Sequence, residues 1–376
     1  MRRQDAHPFI FWIGILLLVV LLGTLAGGSV ALRGESASTP TPLPSPTATV
    51  PPTPSGPLLS DSRGFISLPA NTASAELRRE TDAVPLSTLR GKGFIGAVSG
   101  TGRRVAYWVS GPSTSDGTAR ELRVFDVTAP DQDTTLATVL DTERGAAAVW
   151  SSDRTGIVAV VESSGRAGGA DTPGPFSALR VVDTPTRSIH EISRVTDGSQ
   201  YWPVGWDRAA RLVGACVYGG ADATAIAWVV VGEDALGSRV PMEAGVPAIS
   251  IRASGNDVIG VLNETVVRVW TLASYATHRE FGAAPGERIA FARWKPGADE
   301  IVVLVADRLE IWPKTGGDRR ILARGLPAAS ELLVSSDGAV AFVTYDGGAT
   351  AIDLATGRSV PLPMSGSQLV APISFR

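Results

Sequence analysis

The sequence predicts an all-β ring of four-stranded units, seven in number, carried behind one membrane-spanning helix and a proline-rich linker. Three observations predict it. From residue 61 onward no long 3.6-residue period occurs, and short apolar runs alternate with clusters of Gly, Asp, Ser and Pro, as strands and turns require. Equivalent anchors at Val98, Trp150, Trp206, Ile251, Trp294 and Val334 stand 52, 56, 45, 43 and 40 residues apart. That spacing, about 47 on average, means a repeat array. Each repeat holds four strand-like segments, and four antiparallel strands per 40 to 50 residues make a β-propeller blade.

The first sixty residues predict where the ring is held. Residues 9–32 carry no charge, and about 1.5 Å per helical residue lets them cross a hydrocarbon core of roughly 30 Å. Arg2 and Arg3 precede the run, so residues 1–8 are expected to be a cytoplasmic tail and everything after Leu32 extracytoplasmic. Ser29-Val30-Ala31 offers an alternative signal-peptidase site, but the apolar stretch exceeds the length of an ordinary cleaved signal, which favours an uncleaved anchor. Within residues 33–60, the stretch 36–57 holds eight prolines and nine Ser or Thr in 22 residues. Such a segment buries nothing and stays near polyproline II, a spacer reaching roughly 70 Å at about 3.1 Å per residue.

Residues 61–376 are expected to form the ring. One family of segments has an apolar anchor, a tight polar turn and a nearly continuous apolar strand: WSSDRTGIVAVV from Trp150, WKPGADEIVVLV from Trp294 and VSSDGAVAFVT from Val334. A strand apolar on both faces must be covered on both, as when small sheets stack side by side. The strand that follows places a charge in an apolar run, as in ELRVFDV from Glu121, ALRVVDT from Ala178, VVRVWTL from Val266 and RLEIWPK from Arg308. Alternation puts that charge on the face near an edge or loop. These units resemble the WD-repeat and TolB-like propeller families. The turns at residues 150–153 and 334–338 look like their W-S-P-D-G turn, and VVRVWTL looks like the strand ending in W-D, although Thr271 replaces the aspartate and no Gly-His start is present. The resemblance spans about residues 94–364 and implies fold more than function.

Six units are complete, and residues 61–91 and 365–376 remain at the two ends, together close to one more repeat. The expectation is a seventh, composite blade with QLVAPISF as its inner strand, which removes the free edges of an open ring. A six-bladed ring with a terminal extension is the alternative.

Composition excludes several function classes. With 34 basic and 37 acidic residues the net charge is -3, so no basic surplus is available to displace counterions from nucleic acid. One cysteine, Cys216, rules out an intrachain disulfide framework and a four-cysteine zinc site. Only three of the 34 basic residues are lysines, a coding bias that suggests a GC-rich bacterial genome. Gly91-Lys92-Gly93-Phe94-Ile95-Gly96 matches GxGxxG but leads into strand, not helix, and reads as a turn. His190 and His278 are expected on fourth strands, too few for a histidine-rich metal site. Asp131 and Asp133 form a DxD expected in a loop, a carboxylate pair that calcium could use but that more often caps turns. No GxSxG nucleophile elbow occurs. Asn263-Glu264-Thr265 is a glycosylation sequon.

The loops between second and third strands are enlarged at residues 110–120 and 162–177, in adjacent units. Equivalent loops emerge on one face, and insertions confined to one face often build a binding surface. Asp116, Arg120, Arg166, Asp171 and Phe176 from these loops, with Tyr201 and Trp202 at the start of the next inner strand, are the candidate partner-binding residues. The expected function is noncatalytic: a binding, sensor or scaffold module for envelope proteins or peptides, without a required cofactor. A propeller hydrolase or lyase using channel carboxylates, with calcium, is the alternative.

Overall fold

The computed structural model describes residues 57–69, 74–89, 94–114, 117–140, 143–163, 174–219, 222–232, 239–241, 248–364 and 367–376. The expected tail, membrane helix and most of the linker lie outside them. Among the described residues no helix is long and apolar enough to cross a membrane.

Seven four-stranded antiparallel sheets make up the described residues. Strands β1 (Arg63–Pro69), β2 (Ala75–Arg79) and β3 (Ser87–Leu89) come first in the chain. Blade one follows as β4 (Phe94–Val98), β5 (Arg104–Thr114), β6 (Gly117–Asp126) and β7 (Ala129–Val139). Blade two is β8 (Glu143–Trp150), β9 (Gly156–Ser163), β10 (Phe176–Asp183) and β11 (Ile189–Val195). Blade three is β12 (Ser199–Asp207), β13 (Leu212–Gly219), β14 (Asp222–Gly232) and β15 (Arg239–Pro241). Blade four is β16 (Ala248–Ser254), β17 (Asp257–Leu262), β18 (Val266–Thr271) and β19 (Ser274–Gly282). Blade five is β20 (Ile289–Trp294), β21 (Glu300–Val305), β22 (Arg308–Pro313) and β23 (Arg320–Ala323). Blade six is β24 (Glu331–Val334), β25 (Val340–Tyr345), β26 (Gly348–Asp353) and β27 (Ser359–Pro361). The last strand, β28 (Ser367–Ser374), pairs with β1 and heads a sheet ordered β28-β1-β2-β3, so blade seven is composite and the ring has seven blades.

Inner strands neighbour one another around the full circle, from β4 through β28 and back to β4. Turns joining first to second and third to fourth strands emerge on one side, called here the turn face. Second-to-third loops and blade connections emerge on the other, the loop face.

Seven apolar clusters hold the ring together, one at each blade-blade interface. Strand β9 explains why the second strands are apolar throughout. Ile157, Ala159 and Val161 face blade one, Val158 and Val160 face blade three, and all are buried. Trp150, Trp206, Trp270 and Trp312 each sit in a different interface cluster.

The arginine of VVRVWTL lies on the third strand, as the pattern predicts, but not near an edge. Arg268 is 4% exposed, donates from Nε to Glu280 Oε1 at 2.7 Å and also bonds the Tyr275 hydroxyl. At the matching positions of blades one and two, Arg123 pairs with Glu121 at 2.6 Å and Arg180 with Glu143 at 2.7 Å. A cation enters these interiors only with a carboxylate beside it.

Each of the first six blades has one left-handed residue in its first turn: Gly102, Arg154, Arg211, Gly255, Gly297 and Gly338. The sequence predicts Gly, Asp or Asn there, and arginine takes the place twice. Blade four also departs from the expected register. Anchor and second strand are paired as Trp150 with Ile157 and Trp206 with Val213, but Ala253 with Val258. A turn shorter by two residues makes Ala253, not Ile251, the counterpart of the tryptophans.

Side chains brace these turns. Ser151 Oγ donates to Asp153 at 2.6 Å and Ser335 Oγ to Asp337 at 2.5 Å. Partial burial works against the charge of Asp153 and Asp337, but the serine hydroxyls, nearby backbone amides or hydroxyls, and Arg208 or Arg63 outweigh it and lower both carboxyls. A depressed carboxyl stabilises the fold above its ordinary value, about 3.9, and that contribution is lost as pH falls through the folded value. The Tm of wild-type protein should therefore fall below about pH 4 more steeply than that of the Asp153→Asn/Asp337→Asn double variant. Parallel melting curves from pH 6 to pH 2.5 would refute this.

Candidate binding site in the central channel

Inner strands line the channel, and their register is interrupted by a bulge in six of the seven blades, all but blade six. A bulge re-aims neighbouring side chains and bends the strand. The resulting channel is lopsided. Small side chains, Gly96, Ala97 and Val98 of β4 and Ala146, Ala147, Ala148 and Val149 of β8, leave a cavity of 530 Å³ that Trp202, Ile251 and Arg252 complete from β12 and β16. This volume falls within the range of roughly 300–1,000 Å³ usual for small-ligand sites.

Trp202 stands at the loop-face end of the cavity with 43% of its surface exposed, unusual for a tryptophan. The residues flanking it on β12, Tyr201 at 4% exposed and Pro203, are buried. Arg252 lies one residue before the turn-face anchor Ala253, whereas Trp202 lies four before Trp206. At about 3.3 Å per residue, the guanidinium belongs roughly 7–10 Å deeper than the indole.

Beside Arg252, on the next inner strand, Arg293 is 6% exposed and donates to Ala292 O at 2.8 Å and to Glu331 of β24. Burial, with the Arg252 charge second, pushes the Arg293 guanidinium down to about 10 against the pull of Glu331. Arg252 donates to Ile251 O at 2.8 Å and has no acidic partner among the described residues. Arg252 thus adds a positive charge to the lining of an apolar cavity.

Glu143, Asp207 and Glu331 are the carboxylates on the described inner strands. All are engaged: Glu143 with Arg180 at 2.7 Å, Asp207 as acceptor from Ala210 N at 3.1 Å, and Glu331 with Arg293. Among the described residues no group of three or more His, Cys, Asp or Glu side chains is placed to hold a metal ion. The DxD lies within β7, not in a loop, and Asp133 binds the Tyr107 hydroxyl and Arg123 Nη1, the latter at 3.3 Å. Burial first, then Asp133, pushes the Tyr107 hydroxyl up. Cys216 is buried, and burial pushes its thiol up to about 12, the condition of an inert packing group. His190 and His278 lie on the fourth strands β11 and β19.

Of the residues singled out from the loops and the start of β12, the side chains of Phe176, Tyr201 and Trp202 are described. Asp116, Arg166 and Asp171 lie outside the described residues, as does the Arg120 side chain. Residues 110–120 are not simply a loop: β5 and β6 extend into a ribbon in which Ser113 faces Thr118. Phe176 and Tyr201 are interior, not exposed anchors. Phe176 is 7% exposed with the Arg194 guanidinium 3.9 Å above its ring. Tyr201 shares a 2.6 Å hydrogen bond with Ser193 Oγ and its amide donates to Ser177 Oγ, tying blade three to blade two. Trp202 alone of that aromatic pair faces solvent. Arg252, Arg293 and Glu331 escaped the sequence reading, although an arginine just before the anchor in IRAS and FARW was a visible sign.

Fold and site together define a seven-bladed β-propeller with an open, asymmetrically lined channel. No protein-family model matches the chain, and no curated protein matches it in sequence. Solved structures match in fold. Prolyl oligopeptidase B from Galerina marginata superposes with a TM-score of 0.56 at 14% identity, over 84% of this chain and 51% of that one. AztD from Citrobacter koseri matches with a TM-score of 0.50 at 15% identity, over 83% of this chain and 82% of that one. A structure from an analysis of two prolyl endopeptidases matches with a TM-score of 0.51 at 14% identity, over 82% of this chain and 52% of that one. The chain therefore spans about half the length of the prolyl peptidases it matches.

Proposed function

We propose that the protein is a membrane-anchored, extracytoplasmic propeller of the WD-repeat or TolB-like kind that binds envelope proteins or peptides without transforming them. The observation that carries this reading is Trp202, an exposed indole at the mouth of a 530 Å³ apolar cavity. Exposed aromatics over a pocket are the usual anchors of a protein or peptide partner. The catalytic alternative needs channel carboxylates free to act, and the described ones are each held by an arginine or a backbone amide.

The chain enters the ring through Leu58 and Arg63 on the turn face, where Arg63 reaches Asp337 at 3.2 Å. Trp202 lies toward the opposite face.

Trp202→Ala should weaken capture of an envelope partner by at least tenfold in cross-linking from intact cells, with Tm within about 2 °C of wild type because the indole is half in water. Unchanged capture would remove the channel mouth from the reading. Added calcium should leave Tm unchanged, while a concentration-dependent rise would favour the catalytic alternative.

A further inference from the structure

We propose that the channel recognises a carboxylate carried on a compact apolar body, most simply the carboxyl-terminal residue of a peptide, with Arg252 as its anion-binding group. The inference rests on the binding reading above and supplies the chemistry of its ligand. Along one axis the cavity changes character. Trp202 stands toward the loop face, the small-residue wall of β8 runs the depth of the cavity, and Arg252 lies deeper, level with Val149. An apolar side chain entering past Trp202 would bring an anionic end to the guanidinium.

Charge supports an anion over a cation or a neutral polar group. Arg252 and Arg293 occupy neighbouring inner strands, close enough for the Arg252 charge to act on Arg293, whose carboxylate partner is Glu331. Arg293 is already committed to Glu331 and Ala292 O. Arg252 spends one nitrogen on Ile251 O and keeps the rest of its fork available toward the cavity it lines. A planar guanidinium matches a carboxylate with two parallel hydrogen bonds. Arg252 is exposed, so its contribution rests on that two-point geometry and not on exclusion of water. Bulk chemistry does the rest: with residues 146–149 reduced to three alanines and a valine, space remains for about one or two side chains of ligand, not for a folded domain.

The test uses the full chain in detergent and fluorescein-labelled pentapeptides ending in each apolar residue, every one prepared as free acid and as carboxyl-terminal amide. At least one free acid should bind saturably, its amide at least tenfold more weakly. Arg252→Ala should lose tenfold or more for the acid and leave the amide unchanged, and Arg252→Lys should fall between. Competition by N-acetyl-leucine at concentrations similar to the peptide would assign the site to small free acids of the same chemistry. Acid and amide binding equally, Arg252→Ala binding the acid as wild type does, or no acid binding at all would overturn the proposal. If Trp202→Ala still loses its envelope partner in any of those cases, the binding module stands and only the carboxylate chemistry falls.

Discussion

Deleting residues 367–376 should leave no closed, cooperatively folding ring. The deletion removes β28, and with it the inner strand that pairs with all of β1 from Arg63 to Pro69. Leu369 and Ile373, each 2% exposed, belong to the clusters on either side of blade seven, so both interfaces lose packing at once. Burying each such side chain is worth about 1.5–3 kcal/mol, against a typical net stability of roughly 5–15 kcal/mol. The ladder and the free edge add to the loss. The expected result is a loss of the thermal transition by circular dichroism and self-association on size exclusion through the bared edge of β1. A synthetic peptide of residues 367–376 added in trans should restore part of the transition. A truncated chain melting within a few degrees of wild type would show that the ring does not depend on its latch.

Trp270→Ala should be the most damaging single substitution, costing about 3–5 kcal/mol. The indole is 1% exposed and stands edge-on to Trp228 at 5.5 Å and to Tyr275 at 5.3 Å, a stack spanning blades three and four. Gly260 lies beneath it, where an added Cβ would come within 2.9 Å of the ring. Surroundings this close cannot collapse into the space left behind. Trp270→Phe should cost much less, because Nε1 is buried with no acceptor among the described residues and its loss removes an unsatisfied donor. Denaturant melts of both variants decide the matter: an alanine variant no worse than the phenylalanine one would mean that the stack contributes little.

Much of the architecture was legible because repeats print one physical problem many times. VVRVWTL and WSSDRTGIVAVV recur at blade spacing since every blade must cover a doubly apolar second strand and close a tight turn. The composite blade followed from counting residues left over. What escaped was whatever depends on which side chains meet across strands and blades. Arg268 reads as an edge residue until Glu280, twelve positions later, is seen beside it. Gly145, Gly156 and Gly214 look like weak points in strands, yet a Cβ there would come within 2.0, 2.3 and 2.7 Å of Trp108, Trp206 and Trp228. The site was less legible still. Alternation put Tyr201 and Trp202 on opposite sides of β12, and adjacency in sequence concealed that one was core and the other mouth. Arg252 and Arg293 lie 41 positions apart, and only the ring sets them side by side.

The composite blade has a mechanical consequence. β1 is zipped between β28 on one side and β2 on the other. A pull on β1 along its own axis is therefore loaded in shear onto two ladders together and cannot peel an outer strand one bond at a time.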